Sequence, residues 1–261
     1  MKSERIQYLK ENYMSSDSFG VIPETDTPIV ASKLEVTETT LKKDLKELNY
    51  VIYKRRPPKI KDLESYMPVL DGLKLKIERR MPKYVQHKSV RTLIGQSLWG
   101  KVRTIVLEMN NECCSACVFS PNDLTQLHVH EEWDFDEDNT TIILTGLSLL
   151  CHMCHSLHHI DYTYFRSAEK DKWEEEKEKL DIHFMKVNEC SQEILIASKR
   201  LASKQQILDK MPKAKTGESL QQFFEKQKKL QNANWSYSVF NEMPLREKVI
   251  RVLEKKVLVE K

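Results

Sequence analysis

The 261-residue chain has no apolar run long enough to cross a bilayer, and its opening stretch, "MKSERIQYLKENY", has no apolar signal core. These absences lead to the expectation of a soluble, cytoplasmic protein with no membrane partner. Internal repeats, a Gly-rich loop of the kind that cradles phosphates, and a Ser-His-Asp arrangement are all missing, which argues against a solenoid, a P-loop nucleotidase and a serine hydrolase. A large excess of one sign of charge is missing too: the net charge is only +3, so the position of the charges matters more than their sum. Charged residues make up 31% and apolar residues 40%, the balance of a folded, helix-rich chain of one or two domains.

Cysteine is sparse but patterned. In a reducing compartment the six cysteines are better read as metal ligands or thiols than as disulfides. Cys114-Ser-Ala-Cys117 and Cys151-His-Met-Cys154 form two CxxC pairs separated by residues 118–150. Two sulfurs on one tight turn reach two corners of a tetrahedron, and a second turn supplies the others, so the pattern predicts a structural zinc site. Cys113 offers an alternative register, Cys113-x3-Cys117, and Cys190 reads as a small buried apolar residue.

Four thiolates saturate one zinc ion, which leaves the histidines of "LLCHMCHSLHH" over. His155 and His159 are four apart, a spacing that stacks side chains on one helical face. Upstream, "LHVHEEWDFDE" places His128 and His130 on one face of a strand, followed by Glu131 and Glu132. "TTIILTGLSLL" reads as a β-branched strand leading into the second cysteine pair. The predicted layout is a hairpin, a cysteine turn and a short helix.

"WGKVRTIVLEMNNECCSAC", "HVHEEWDFDE", "LTGLSLLCHMCHSLHH" and "HFMKVNECS", spanning about residues 96 to 210, resemble an HNH-like branch found in bacteria and phages. The resemblance implies an α+β, mostly helical fold with a small ββα-metal zinc module. It also implies a divalent-metal-dependent endonuclease that hydrolyses phosphodiester bonds. On this likeness His130 is the general base, His155 is a ligand of a catalytic Mg, Mn or other divalent ion, and His159 is a second such ligand. Two positions depart from the family. Val129 precedes His130 where the family has a ligand, and Gly146 stands where it usually has Asn. Three alternatives follow: His130 as ligand with Glu131 as base, His128 or Glu131 supplying the missing ligand, or a degenerate zinc module that binds DNA or protein without cleaving.

Toward the N-terminus, "ERIQYLKENY" reads as a short amphipathic helix and the stretch with Gly20, Pro23 and Pro28 as a loop. Ile29, Val30 and Leu34 then mark one helical face, Thr37 an N-cap, and Leu41, Leu45 and Leu48 the apolar side of a second helix. The pair resembles a helix-turn-helix unit followed by a strand or wing, "NYVIYKRR". Thr39, Thr40, Lys42, Lys43, Lys46, Arg55 and Arg56 are its candidate DNA contacts. "SLWGKVRTIVLEMN" predicts a helix with Trp99, Val102 and Val106 inward. "EKDKWEEEKEKLD" predicts an exposed helix, and "SQEILIASKRLASKQQILDK" one packed on the zinc module. "PLREKVIRVLEKKVLVEK" predicts an amphipathic helix that docks internally or pairs with another copy as a homodimer. The expected organisation is a DNA-binding unit over 1–60, a linker over 61–95, the zinc domain over 96–210 and a helical extension over 211–261.

Overall fold

A computed structural model describes residues 2–16, 18–78, 82–85, 88–159, 170–210 and 217–256. It is a mixed α+β protein with two three-stranded sheets among the described residues. Packing divides the chain into two compact units, each built from two stretches of sequence. The first unit joins residues 1–78 to 156–203, and the second joins 79–155 to 204–261. Each unit thus draws on segments that are distant in the sequence.

In the first unit, helix α1 (Lys2–Tyr13) buries Leu9 completely. Strands β1 (Met14–Ser16) and β2 (Phe19–Pro23) follow where a loop was expected. The glycine that suggested a loop is required by a close approach instead: a Cβ on Gly20 would lie 2.3 Å from the Tyr50 ring. Helix α2 (Thr27–Lys33) starts with Pro28 in its first turn. It ends in a Schellman arrangement, with Glu35 at φ 52°, its N–H donating to Ser32 O, and Val36 N–H donating to Ala31 O. Thr37 then caps helix α3 (Glu38–Glu47), its hydroxyl accepting from Thr40 N. Leu41 and Leu45 join Val30 and Ala31 in the core, whereas Ile29 is 68% exposed, away from that face. Strand β3 (Tyr50–Tyr53) returns parallel to β2.

The rest of this unit comes from residues read as linker and as zinc domain. Helix α4 (Met67–Asp71) contributes Leu70, which packs with Ile60 and Ala197. Two further helices, named α7 and α8 in chain order, span Lys170–Asn188 and Gln192–Lys210, and this unit takes the first of them and the second as far as residue 203. Ile194, Ile196, Ala197 and Leu201 of α8 pack with residues 60–73. The charged start of α7 is not a wholly exposed helix. Trp173, Leu180, Phe184 and Met185 are buried, because their helical spacing lines up one apolar stripe within a polar composition.

In the second unit, helix α5 (Val90–Met109) buries Trp99, Val102 and Val106 as expected. It breaks at Gly95, whose φ of 77° and ψ of 164° form a conformation that only glycine adopts readily. Strands β4 (Leu127–Asp136) and β5 (Thr141–Cys151) form an antiparallel hairpin, and helix α6 (His152–His158) follows directly. The hairpin, cysteine turn and short helix read from the sequence are all present. Helix α9 (Gly217–Asn232) leads to strand β6 (Ser236–Val239), which adds parallel to β5. Helix α10 (Arg246–Lys256) buries Val249 and Leu253 and docks internally on α5, with Lys256 Nζ donating to Leu93 O at 2.6 Å. The last residues of its predicted stretch, 257–261, lie outside the described residues. Among the described residues, no helix is long and apolar enough to cross a membrane.

Candidate functional site

Helix α5 ends with Asn111 and Glu112 at positive φ, and Glu112 N–H donates to Leu107 O. The chain then enters the first cysteine turn, closed by Val118 N–H to Cys114 O and Cys114 N–H to Phe119 O, each at 2.9 Å. Ser115 pins this turn to the hairpin, since both its N–H and its hydroxyl donate to Leu149 O, at 2.8 and 3.0 Å. Leu149 lies two residues before Cys151, so the bond brings the two CxxC pairs together. The sequence spacing gave no sign of Ser115 in this role.

All four sulfurs of Cys114, Cys117, Cys151 and Cys154 lie within 4.8 Å of one another, with Cys117 and Cys151 Sγ 3.6 Å apart. Tetrahedral zinc–thiolate bonds of about 2.3 Å set the sulfurs about 3.8 Å apart, so the group suits a structural metal ion. Crowding makes ionisation of all four thiols costly without a cation. Hydrogen bonds from neighbouring sulfurs, Cys117 foremost, pull Cys114 down to about 6, while bonds among the same sulfurs push Cys117 and Cys154 well up. Cys113 stands apart, its thiol toward Asn111 O at 3.2 Å, so the Cys114 register is the one that converges. Cys190 is buried in the first unit, and burial pushes its thiol up to about 12. The six cysteines, all among the described residues, form no disulfide.

The hairpin presents two different faces beside this cluster. Leu127, Val129 and Glu131 alternate with His128, His130 and Glu132 along β4. On the histidine face, the His155 ring from α6 stacks on His128 with centroids 4.9 Å apart. The same ring meets His130 edge-on at 5.5 Å, and His152 lies 6.1 Å from His128. His130 is only 6% exposed. Burial, then the neighbouring His152, Arg103 and Arg91, lower the pKa of His128, which favours its neutral form. His159 follows the end of α6, is exposed, and falls in the stretch that belongs to the first unit.

The two glutamates after His130 are both engaged. Glu131 is on the opposite face from His130 and accepts from Arg91 N–H at 2.9 Å, which places its carboxylate at the N-terminus of α5. Burial raises its pKa, while the backbone N–H groups of Arg91 and Val90 oppose the rise. Glu132 accepts from the Ser148 hydroxyl, and its carboxylate lies over Gly146. A Cβ at position 146 would come within 2.8 Å of Glu132 Oε2, the end of a flexible side chain that can swing aside. Val129 is buried.

A half-open cleft of about 290 Å³ borders the stacked imidazoles, lined in part by Arg91, Trp99, Arg103, His128 and His155. Arg103 is held in place by Leu124 O at 2.6 Å and Leu127 O at 3.1 Å, and the Arg91 guanidinium lies 5.7 Å over the Trp99 ring. Charge and a flat aromatic side chain therefore share one wall. Arg91 gave no signal in the sequence, because it meets Trp99 and the hairpin only after folding.

The remaining candidates sit in the first unit. Thr39, Lys42, Lys43 and Lys46 are exposed on α3, with Lys42 paired to Glu38 at 3.1 Å. Thr40 is tied to the Thr37 cap. Arg56 is exposed, and Arg55 pairs with Glu178 at 3.1 Å. The chain matches no protein-family model, no curated protein and no solved structure.

Proposed function

We propose that the second unit is a zinc-stabilised HNH-type nuclease module and that the protein is a divalent-metal-dependent endonuclease acting on DNA. The observation that carries this reading is the meeting of His130 on the strand and His155 on the following helix, 5.5 Å between ring centroids, beside four converging sulfurs. Zinc in the four-cysteine group would be structural. A second divalent ion, Mg or Mn, would be held by His155 and would supply neutralisation of the charge developing on the phosphate oxygens. His130 takes the proton from the attacking water as general base. Arg91, lying over the Trp99 ring, and Arg103 attract and orient the phosphodiester. In the first unit, the exposed Lys43 and Lys46 of α3 suit backbone phosphate contacts in a helix-turn-helix manner, and such tethering raises the effective concentration of the module on DNA.

A second reading has its own support. Val129 is buried and cannot ligate, and Glu132 fills the space beside Gly146. These features suit a catalytically degenerate zinc module that binds DNA or protein. Plasmid nicking with magnesium or manganese separates the readings. Nicking that vanishes in His130→Ala supports the enzyme. Bound zinc and DNA retention, with no cleavage under either metal, supports the binding module.

A further inference from the structure

The first unit contains a second cleft, of about 240 Å³, between the end of β3 and helices α7 and α8. Its frame is rigid. The Gln192 side chain, 5% exposed, grips the Lys54 backbone from both sides, accepting from its N–H at 3.1 Å and donating to its carbonyl at 2.6 Å. At its base lies Asp181, a carboxylate 3% exposed, which accepts from the Tyr53 hydroxyl at 3.1 Å and from Lys199. Lys177 Nζ lies 4.0 Å from the same carboxylate.

The charge in this cleft does not balance. Arg55 is matched by Glu178. Lys54, Lys177, Lys199 and Arg200 line the cleft with one carboxylate, Asp181, which Lys199 and Lys177 approach while Arg200 donates to Ile60 O at 2.9 Å, and four cations against one acid leave a surplus of three positive charges. The nearby acids of α7, Glu174 and Glu178, are close enough to raise the Tyr53 phenol but do not line the cleft. Pro57, Leu195 and Ile196 supply apolar wall between the cations. A buried ion pair that served stability alone would need one lysine, and apolar packing of the same volume is often as stable. Surplus cations around an apolar wall instead suit an anion with an apolar body.

The geometry points to a binding site for a small organic phosphomonoester. A monoester dianion offsets two of the three surplus charges, whereas a diester offsets one. The volume lies below the roughly 300 Å³ at which small-molecule pockets begin, so the apolar body is small. The monoester could be a free metabolite or the terminal phosphate of a nucleic acid. This site is separate from the histidine face and does not rest on the nuclease reading.

Phenyl phosphate, inorganic phosphate and phenyl sulfate, titrated at constant ionic strength and followed by calorimetry and thermal midpoint, test the proposal. A 5′-phosphorylated oligonucleotide and its unphosphorylated twin form the second arm. The expected order is phenyl phosphate tighter than inorganic phosphate and than phenyl sulfate. Lys177→Gln, at a half-buried position, weakens phenyl phosphate about tenfold, the worth of one charge-assisted contact. Asp181→Asn keeps an acceptor for Tyr53, removes the competing carboxylate, and tightens binding several-fold. A phosphorylated oligonucleotide that outbinds both its twin and phenyl phosphate assigns the source to nucleic-acid ends, and equal twins assign it to a free ester. Absence of any response to phenyl phosphate, or an affinity unmoved by Lys177→Gln, overturns the proposal. The wild-type titration decides the matter even if Asp181→Asn fails to fold.

Discussion

The two units hold buried polar groups in opposite ways. The second unit gathers four thiols, and ionising all of them together would require a cation among them. The first unit buries a carboxylate, Asp181, and surrounds it with Tyr53, Lys199 and Lys177 from its own chain. One unit holds a group suited to an ion from solution, and the other carries its counter-charges in its sequence. The first also packs Leu9, Ile22, Leu41 and Leu45, almost wholly buried, in one apolar cluster. Stability in the second unit should therefore respond to metal, and in the first to substitution.

The largest effect expected is from removing the metal or a ligand. Chelation, or Cys151→Ala, should remove on the order of 10 kcal/mol of metal-linked folding free energy. Hydrogen exchange should show protection lost over residues 88–155 and kept in α1 to α3. Metal analysis should find one zinc per chain in the wild type and none in the variant. Equal loss of protection in both units would break the comparison.

Asp181→Ala should rank next, at about 3–5 kcal/mol by chemical denaturation, because it leaves the lysine side without its carboxylate. Here chelator should leave the first unit's protection unchanged. Gly95→Ala should cost about 1–3 kcal/mol, since φ 77° with ψ 164° is nearly closed to a residue with a Cβ. Nothing lies within 4 Å of the Cβ position, so the cost is conformational rather than steric. The smallest effect is Thr37→Ala at about 1 kcal/mol, the loss of one helix cap, read from the urea midpoint.

Local signals were legible in the sequence where a short stretch sets its own geometry. Thr37 caps α3 because a hydroxyl reaches an N–H three residues on. Trp99, Val102 and Val106 face inward because helical spacing puts them on one side. Polarity misled where a few apolar residues sufficed, as in α7, which buries Trp173 and Leu180 within a run of charges. Glycine misled at position 20, where the absent side chain makes room for Tyr50 inside a sheet rather than a loop. Within the candidate site the sulfurs and imidazoles could be read from their spacing. Their supports could not: Ser115 on Leu149 O, Arg91 beside Trp99 and Glu131 at the start of α5 join residues 8 to 40 positions apart.

By itself the sequence determined the ligand types, the paired turns, the hairpin and its helix, because each depends on residues within a few positions of one another. Only the tertiary structure decided that residues 156–203 pack with the N-terminal segment, that Asp181 meets Lys199, and that His130 and Glu131 serve opposite faces of one strand with different neighbours. Those outcomes depend on which distant surfaces exclude water together, and spacing along a chain does not encode that choice.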